Sequence, residues 1–291
     1  MGKLKFNEQI IKQPSFKLKN DGIIKLVIPD PVISVLTPQN IKINIVYEDN
    51  YLIVINKDPG MVVHPGAGNR ENTLVNALLS HCKKNLSGIG GVLRPGVVHR
   101  IDKMTSGLLV FAKDDQTHKS LSDQFRRKST EREYDLLVWN LLPNKEGIIN
   151  KNISRSKFNR KKMSVCDSSS GKNAITSYKL IKTFLINEDI KISYLKCQLQ
   201  TGRTHQIRVH MSHIGNPLIG DKTYSRNSYY LKLPLQLKSL IFENFIKIDR
   251  QALHARYLGF YHPVEKKKLL FESKLPNDFI QTLENLGNLK V

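Results

Sequence analysis

Cysteine is scarce. The three present, Cys82, Cys166 and Cys197, lie far apart and form no CxxC pair. That spacing argues against a disulfide framework and a structural zinc site, and it fits a reducing compartment. No apolar run reaches the ~18 residues a membrane-spanning helix requires, and the opening MGKLKFNEQ contains no apolar stretch of the signal-peptide kind. Acidic residues are also few, 25 against 46 Lys and Arg, for a formal charge of +21. Together these features point to a cytoplasmic protein whose partner is a polyanion. A Lys-, Asn- and Ile-rich composition explains part of the excess, but not arginines set beside unusual turns, as at Arg94, Arg100 and Arg203. Nucleic acid is therefore favoured over an acidic membrane surface.

The chain has 291 residues, 40% of them hydrophobic, enough for one large domain or one domain with a small appendage. Residues 1–30 read as a basic segment closing on the alternating strand IIKLVIPDP, and 31–42 as a linker whose prolines discourage a helix. Residues 43–291 carry the main domain. Two strands about a turn at Asp49–Asn50 are expected within IVYEDNYLIVIN, and a helix capped by Thr73 over TLVNALLSHC. A buried strand follows at 107–113 and a helix at 118–127. The segment 151–172, basic and rich in Ser, Asn and Gly, reads as a loop with short hairpin strands. Further strands are expected at 176–185, 190–200, 252–261 and 267–272, with a last helix near 278–286. Strands and helices mix without a βαβ rhythm, and no internal repeat is visible. The expected class is α+β with a mixed, largely antiparallel sheet.

Four stretches carry chemistry. In GVVHRIDKMTSGLLVFAK, Asp102 stands between Arg100 and Lys103, beside His99 and just before Thr105, at the mouth of an apolar strand. Such a carboxylate is ordinarily a solvated ion pair. Rigid scaffold at its back and arginine nearby instead suit an ionised nucleophile or electrostatic stabiliser, and in a nucleic acid the matching electrophile is a ribose anomeric carbon. In QTGRTHQIRVHMSHIGNPLIGD, Thr204 is expected to cap a helix that presents Ile207, Met211 and Ile214 on one face and ends at Gly215. Arg203 then sits at the helix N-terminus, placed to pair with Asp102, to grip a phosphate, or to do both in turn. His205, His210 and His213 lack the HExxH order or acidic partners of a metal site. In NKDPGMVVHPGAGN, a glycine-rich loop without P-loop order follows Lys57, which ends a strand and is expected either to point at the same cleft or to snorkel from a surface turn. In TEREYDLLVW, Tyr134 is either ordinary strand packing or a stacking platform for an extruded base.

HRIDKMTSGLLVFAK resembles the HRLDxxTSGLLVxAK signature of the RluA-type pseudouridine synthases, closest to members that modify large-subunit ribosomal RNA. NKDPGMVVHPGAGN, REY, TGRTHQIRVHMSHIGNPLIGD and QALHA are similar to that family's other blocks, in the same order over roughly 43–285. The resemblance implies isomerisation of uridine to pseudouridine in RNA, with no cofactor and no metal. It implies Asp102 as the catalytic aspartate, Tyr134 packing on the target base, Arg203 as the basic partner of Asp102 and Arg100 positioning the loop. Lys57, His99, Thr105, His205 and Arg208, in the same blocks, join Arg100 as expected substrate-binding residues. Whether Asp102 adds to sugar, adds to uracil or supports a glycal route stays open. The implied core is α+β with a cleft across the sheet, acting on ribosomal RNA; a monomer is the default expectation, since the sequence carries no signal of oligomeric state. The alternatives are transfer RNA as substrate, an RNA glycosidase, or a non-catalytic RNA-binding protein. Asn7 to Pro29 is similar only to the final hairpin of the small RNA-binding domain that precedes such relatives, so residues 1–30 are expected to be its remnant.

Overall fold

The computed structural model describes residues 4–27 except 14 and 19, and 36–288 except 67, 84–85, 92–93, 161 and 167–170. Lys3, Lys19, Pro29 and the first part of the expected linker, 31–35, lie outside the described residues. The chain divides into two compact units, Met1–Val35 and Leu36–Val291.

In the smaller unit, β1 (Leu4–Phe6), β2 (Gln9–Ile10) and β3 (Ile24–Leu26) form an antiparallel sheet in the order β2-β1-β3. Asn7 and Glu8 turn β1 into β2 with φ of 45° and 68°. None of the described residues here is buried. Three short strands without an apolar interior have little stability of their own.

The larger unit runs β4 (Ile45–Glu48), β5 (Leu52–Lys57), α1 (Leu74–His81), β6 (Ser106–Ala112), α2 (Asp115–Arg127), β7 (Glu131–Trp139), β8 (Glu146–Arg155), β9 (Met163–Cys166), β10 (Lys172–Leu185), β11 (Lys191–Leu199), α3 (Gln206–His213), α4 (Asn227–Leu231), α5 (Leu235–Ile241, prolonged by a wide π turn at Phe242–Ile246), β12 (Leu253–Tyr261), β13 (Lys268–Glu272) and α6 (Asn277–Gly287). All ten strands join one sheet in the order β4-β5-β6-β12-β7-β11-β10-β8-β9, with β13 branching from β12. Among the described pairings of named strands only β6–β12 is parallel, so the expected mixed, largely antiparallel α+β architecture is the one observed.

The uninterrupted apolar runs LIVIN and LLVFA follow from burial on both faces. Ile53, Ile55, Leu109 and Phe111 face Leu74, Val75 and Leu78 of α1 and Ile207 and Met211 of α3. Leu52, Val54, Leu108 and Val110 face the other way, towards Leu121 of α2. A third cluster joins Leu137, Trp139 and Ile192 to Leu237, Phe245, Phe279 and Leu286. Helices thus flank the sheet on both sides.

Several boundaries shift for identifiable reasons. The Thr73 cap is present, reciprocated by Asn76. α2 starts at Asp115 rather than His118 because the Asp114 carboxylate accepts from Thr117 N at 2.8 Å. The expected loop at 151–172 is largely hairpin, with β8 continuing to Arg155 and pairing with β9. The later half of the expected linker is tied down, since Asn76 Nδ2 donates to the Thr37 carbonyl at 2.8 Å and Gln39 N to the Asn76 carbonyl at 3.0 Å. α4, α5 and the π turn carry no expectation from the sequence. All three cysteines are free, and no helix of the described residues is long and apolar enough to cross a membrane.

One contact positions everything at the front of the sheet. Gly107, in the register pair with Ala255, has φ +115°, and a Cβ there would lie 2.2 Å from the Ala255 carbonyl oxygen. Only glycine lets β6 approach β12 so closely, directly behind the Asp102 loop. Gly107→Ala is expected to cost at least ~2 kcal/mol, combining strained φ with a backbone clash. A urea unfolding midpoint unchanged from wild type would show that the two strands do not depend on this approach.

Candidate active site

The loop before β6 turns at Asp102, where Thr105 N donates to the Asp102 carbonyl at 3.1 Å. Thr105 Oγ1 in turn accepts from Gln251 Nε2 at 2.8 Å. From behind, the ammonium of Lys57 donates to the Asp58 and Lys103 carbonyls at 2.7 and 3.0 Å, and Gly60 N reaches the same Lys103 carbonyl at 2.9 Å. The loop is therefore fixed on three sides, and the Asp102 side chain emerges from it partly exposed.

The cation that meets this carboxylate is Arg208. Its Nη1 donates to Asp102 Oδ2 at 2.9 Å, while Nε and Nη2 fork onto Asp221 Oδ2 and Oδ1 at 2.7 and 2.9 Å. Burial alone would lower the Arg208 pKa, but its bonds to Asp221 and Asp102 outweigh that and hold it above the ordinary arginine value. Asp221 is itself buried and accepts from Thr223 N and Tyr224 N at 3.0 and 3.2 Å. Among the described residues no donor is bonded to Asp102 Oδ1, which leaves that oxygen for a reacting atom.

The expected Arg203–Asp102 pair is not the one formed. His205, with φ 55°, takes the chain through a left-handed turn, and α3 begins only at Gln206, without a Thr204 cap. Arg203 is left before the helix with Nε donating to the Asn173 carbonyl at 3.0 Å, on the cleft rim. Arg208, one turn into α3, is carried over Asp102 instead. A charged side chain inside the buried run QIRVHM signals a buried partner, and Asp221 in the same block supplies it.

The other expected residues separate into two groups. Arg100, Thr105, Tyr134, Arg203, His205 and Arg208 all line one cleft with Asp102. Tyr134 is 6% exposed, and burial raises its phenol pKa against the opposing field of Arg132. His205 Nε2 stands 4.0 Å from Asp102 Oδ2, and its Nδ1 bonds the Tyr224 hydroxyl at 2.9 Å. Burial lowers the His205 pKa despite Asp102 nearby. Arg100 is exposed, with Nη1 3.3 Å from His64 Nε2. Lys57 and His99 do not reach the cleft. Lys57 is 2% exposed behind the loop, its pKa pushed down to about 7 by burial and the Arg250 charge. His99 accepts from Val110 N at 3.1 Å and stacks on Phe125 at 4.4 Å, its pKa brought to about 3 by burial. Both support the loop and strand and stand outside the lining of this cleft. Asp221, Tyr224 and Arg132 were not anticipated. Among the described residues no group of three or more His, Cys, Asp or Glu is gathered so as to hold a metal ion.

A carboxylate held by a buried, forked arginine, facing a buried tyrosine in a cationic cleft on a mixed sheet, defines a class. Residues 51–213 match the family model for RNA pseudouridylate synthase, and the chain belongs to that family of RNA-modifying isomerases. It is 48% identical over 269 residues, 92% of this chain and 80% of the relative, to ribosomal large subunit pseudouridine synthase D of Zymomonas mobilis. It is 40% identical over 285 residues, 98% of this chain and 86% of the relative, to the uncharacterized RNA pseudouridine synthase YlyB of Bacillus subtilis. Human RNA pseudouridylate synthase domain containing 4 superposes with a TM-score of 0.62 at 25% identity, covering 84% of this chain and 93% of that one.

The reassigned pair has a direct stability signature. Arg208→Met strands Asp221 as a buried, unpaired anion and is expected to cost ~3–5 kcal/mol. Arg203→Met, at an exposed position, is expected to stay within ~0.5 kcal/mol of wild type. Equal losses in chemical denaturation would return Arg203 to the role of partner.

Proposed function

We propose that this chain isomerises uridines of large-subunit ribosomal RNA to pseudouridine, with Asp102 as the catalytic carboxylate and Tyr134 packing against the target base. The observation that carries the reading is the Asp102–Arg208 pair on the wall that also holds Tyr134. An ionised carboxylate with one oxygen bonded and the other unbonded suits attack on, or proton removal beside, a ribose anomeric carbon. The reaction breaks the base–sugar bond, keeps the uracil, rotates it and rejoins it through carbon, with water excluded while the base is free. Among the described residues Asp102 is the one carboxylate lining this cleft, with Asp249 in the adjoining hollow; hydrolysis by a glycosidase ordinarily calls for a second carboxylate and a placed water at the same site. Exposed Arg100 and Arg203 at the mouth suit phosphate contacts.

Large-subunit ribosomal RNA is chosen over transfer RNA because several relatives, from Zymomonas, Buchnera and Pseudomonas, bear that name. The reading has the chain acting as a cytoplasmic monomer. Residues 1–30, a basic segment, would add affinity for RNA through Lys5, Lys12, Lys17 and Lys25.

Asp102→Asn is expected to keep the fold and most RNA affinity while lowering single-turnover pseudouridine formation by at least ~1,000-fold. Turnover within a few-fold of wild type would remove Asp102 from the chemistry. Removing residues 1–35, a cut that spares the Thr37 and Gln39 bonds to α1, is expected to leave saturated turnover on a short stem-loop unchanged. Affinity for large RNA should fall, with a shallower dependence on salt as phosphate contacts are lost. Turnover lost in a folded truncation would show that the segment helps build the active site.

A further inference from the structure

Arg132 is a buried cation without an anion. It stands two residues before Tyr134 on β7, lines the same cleft as Asp102, and is 9% exposed. Its Nη2 donates to the Leu199 carbonyl at 3.2 Å, and its guanidinium carbon lies 5.3 Å from the centre of the Phe125 ring. Its Nε is buried with no hydrogen-bond partner among the described residues. The neighbouring carboxylates are taken, Glu131 by Lys268 and Glu133 by Lys196. His99, stacked on Phe125, has no negative form to offer as a countercharge. Among the described residues no carboxylate pairs with Arg132.

Removing a guanidinium from water without a partner costs several kcal/mol. A fold that keeps one on the wall of its active-site cleft has a use for the uncompensated charge. The isomerisation proposed above generates the matching anion. When N1–C1′ breaks, its electron pair leaves on the uracil and spreads onto the carbonyl oxygens. C1′ is met by a carboxylate oxygen of Asp102, or the sugar is discharged by loss of its C2′ proton. On return, C5 bonds to C1′ and the Asp102–carbon bond breaks with its pair returning to the carboxylate, or the C2′ proton is restored. C5 then gives up a proton and N1 gains one, so neither water nor a redox partner is consumed.

We propose that Arg132 contacts a carbonyl oxygen of the target uracil and stabilises the base as its anion while it is detached from the ribose. This rests on the pseudouridine synthase reading and adds a base-contacting residue to it. A backbone phosphate is the poorer occupant, because Arg132 lies buried beside Tyr134 whereas Arg203 and Arg100 stand exposed at the rim.

The test compares Arg132→Met and Arg132→Lys with wild type, as full chains, on unmodified large-subunit ribosomal RNA transcripts containing uridine or 5-fluorouridine. Rearranged nucleoside is read by digestion and mass spectrometry in single turnover. Because Met removes a desolvated, unpaired charge, its melting temperature should equal or exceed that of wild type. Its rate on uridine RNA should fall by at least ~100-fold, the scale of losing one donor to a developing oxyanion. On 5-fluorouridine RNA, whose base is the more stable anion, the loss should shrink to under ~10-fold, and Arg132→Lys should recover part of the uridine rate. Equal losses on the two RNAs, or a rate loss that tracks a lowered melting temperature, would overturn the proposal as a packing effect. An unimpaired Met variant beside an active wild type would overturn it alone. A wild type forming no pseudouridine would overturn the functional reading and this inference with it.

Discussion

Asp221 is a carboxylate sealed inside the protein, and a sealed carboxylate has to be met by a cation and by hydrogen-bond donors. Arg208 and the amides of Thr223 and Tyr224 meet that demand, and in doing so they fix the guanidinium in one orientation. Its remaining Nη1 then has one direction to point, at Asp102 Oδ2. The buried pair is thus a bracket that aims a third donor at a carboxylate open to the cleft. Tyr224 reinforces the bracket from beneath, with its ring 5.2 Å from the Arg208 guanidinium carbon and its hydroxyl on His205.

The same economy governs the back of the loop. Lys57 and Gly60 both donate to the Lys103 carbonyl, so a residue adjoining Asp102 is held by main-chain atoms whatever occupies the cleft. Lys57 bears a cost for this position, since burial and Arg250 disfavour its charge. A basic side chain beside an active site can therefore serve the scaffold alone, and its sequence neighbourhood does not separate that role from substrate contact.

That limit explains where the sequence was legible. Apolar runs bounded by turn residues located β5 and β6, and a carboxylate framed by cations at the mouth of one of them located Asp102. Tyr134 followed from a polar-tipped residue opening a third apolar run. Arg203 was preferred over Arg208 because periodicity cannot show that His205 adopts a left-handed turn and delays the helix. Asp221 was passed over because a lone Asp after Ile-Gly looks like an ordinary turn until the forked arginine is seen on it. Arg132 carries no expectation from the sequence, since isolation from anions is a property of three-dimensional surroundings. The stretch 227–246 offers aromatic and apolar residues without clear spacing, and its π turn breaks the helical period outright.

The parallel pairing of β6 with β12 also sets when the site can exist. Ser106 and His254, bonded at 2.9 Å, are separated by 148 positions in the chain, and Gly107 meets Ala255 beside them. Contacts of such separation form late, after the entropy of closing the intervening loop has been overcome by other structure. The strand behind Asp102 gains its neighbour only once residue 255 is available, whereas β5 and β6 can pair much earlier. During synthesis, the Asp102 loop therefore leaves the ribosome long before β12, the strand that pairs behind it. An incomplete chain would carry the Asp102 loop without the strand that backs it.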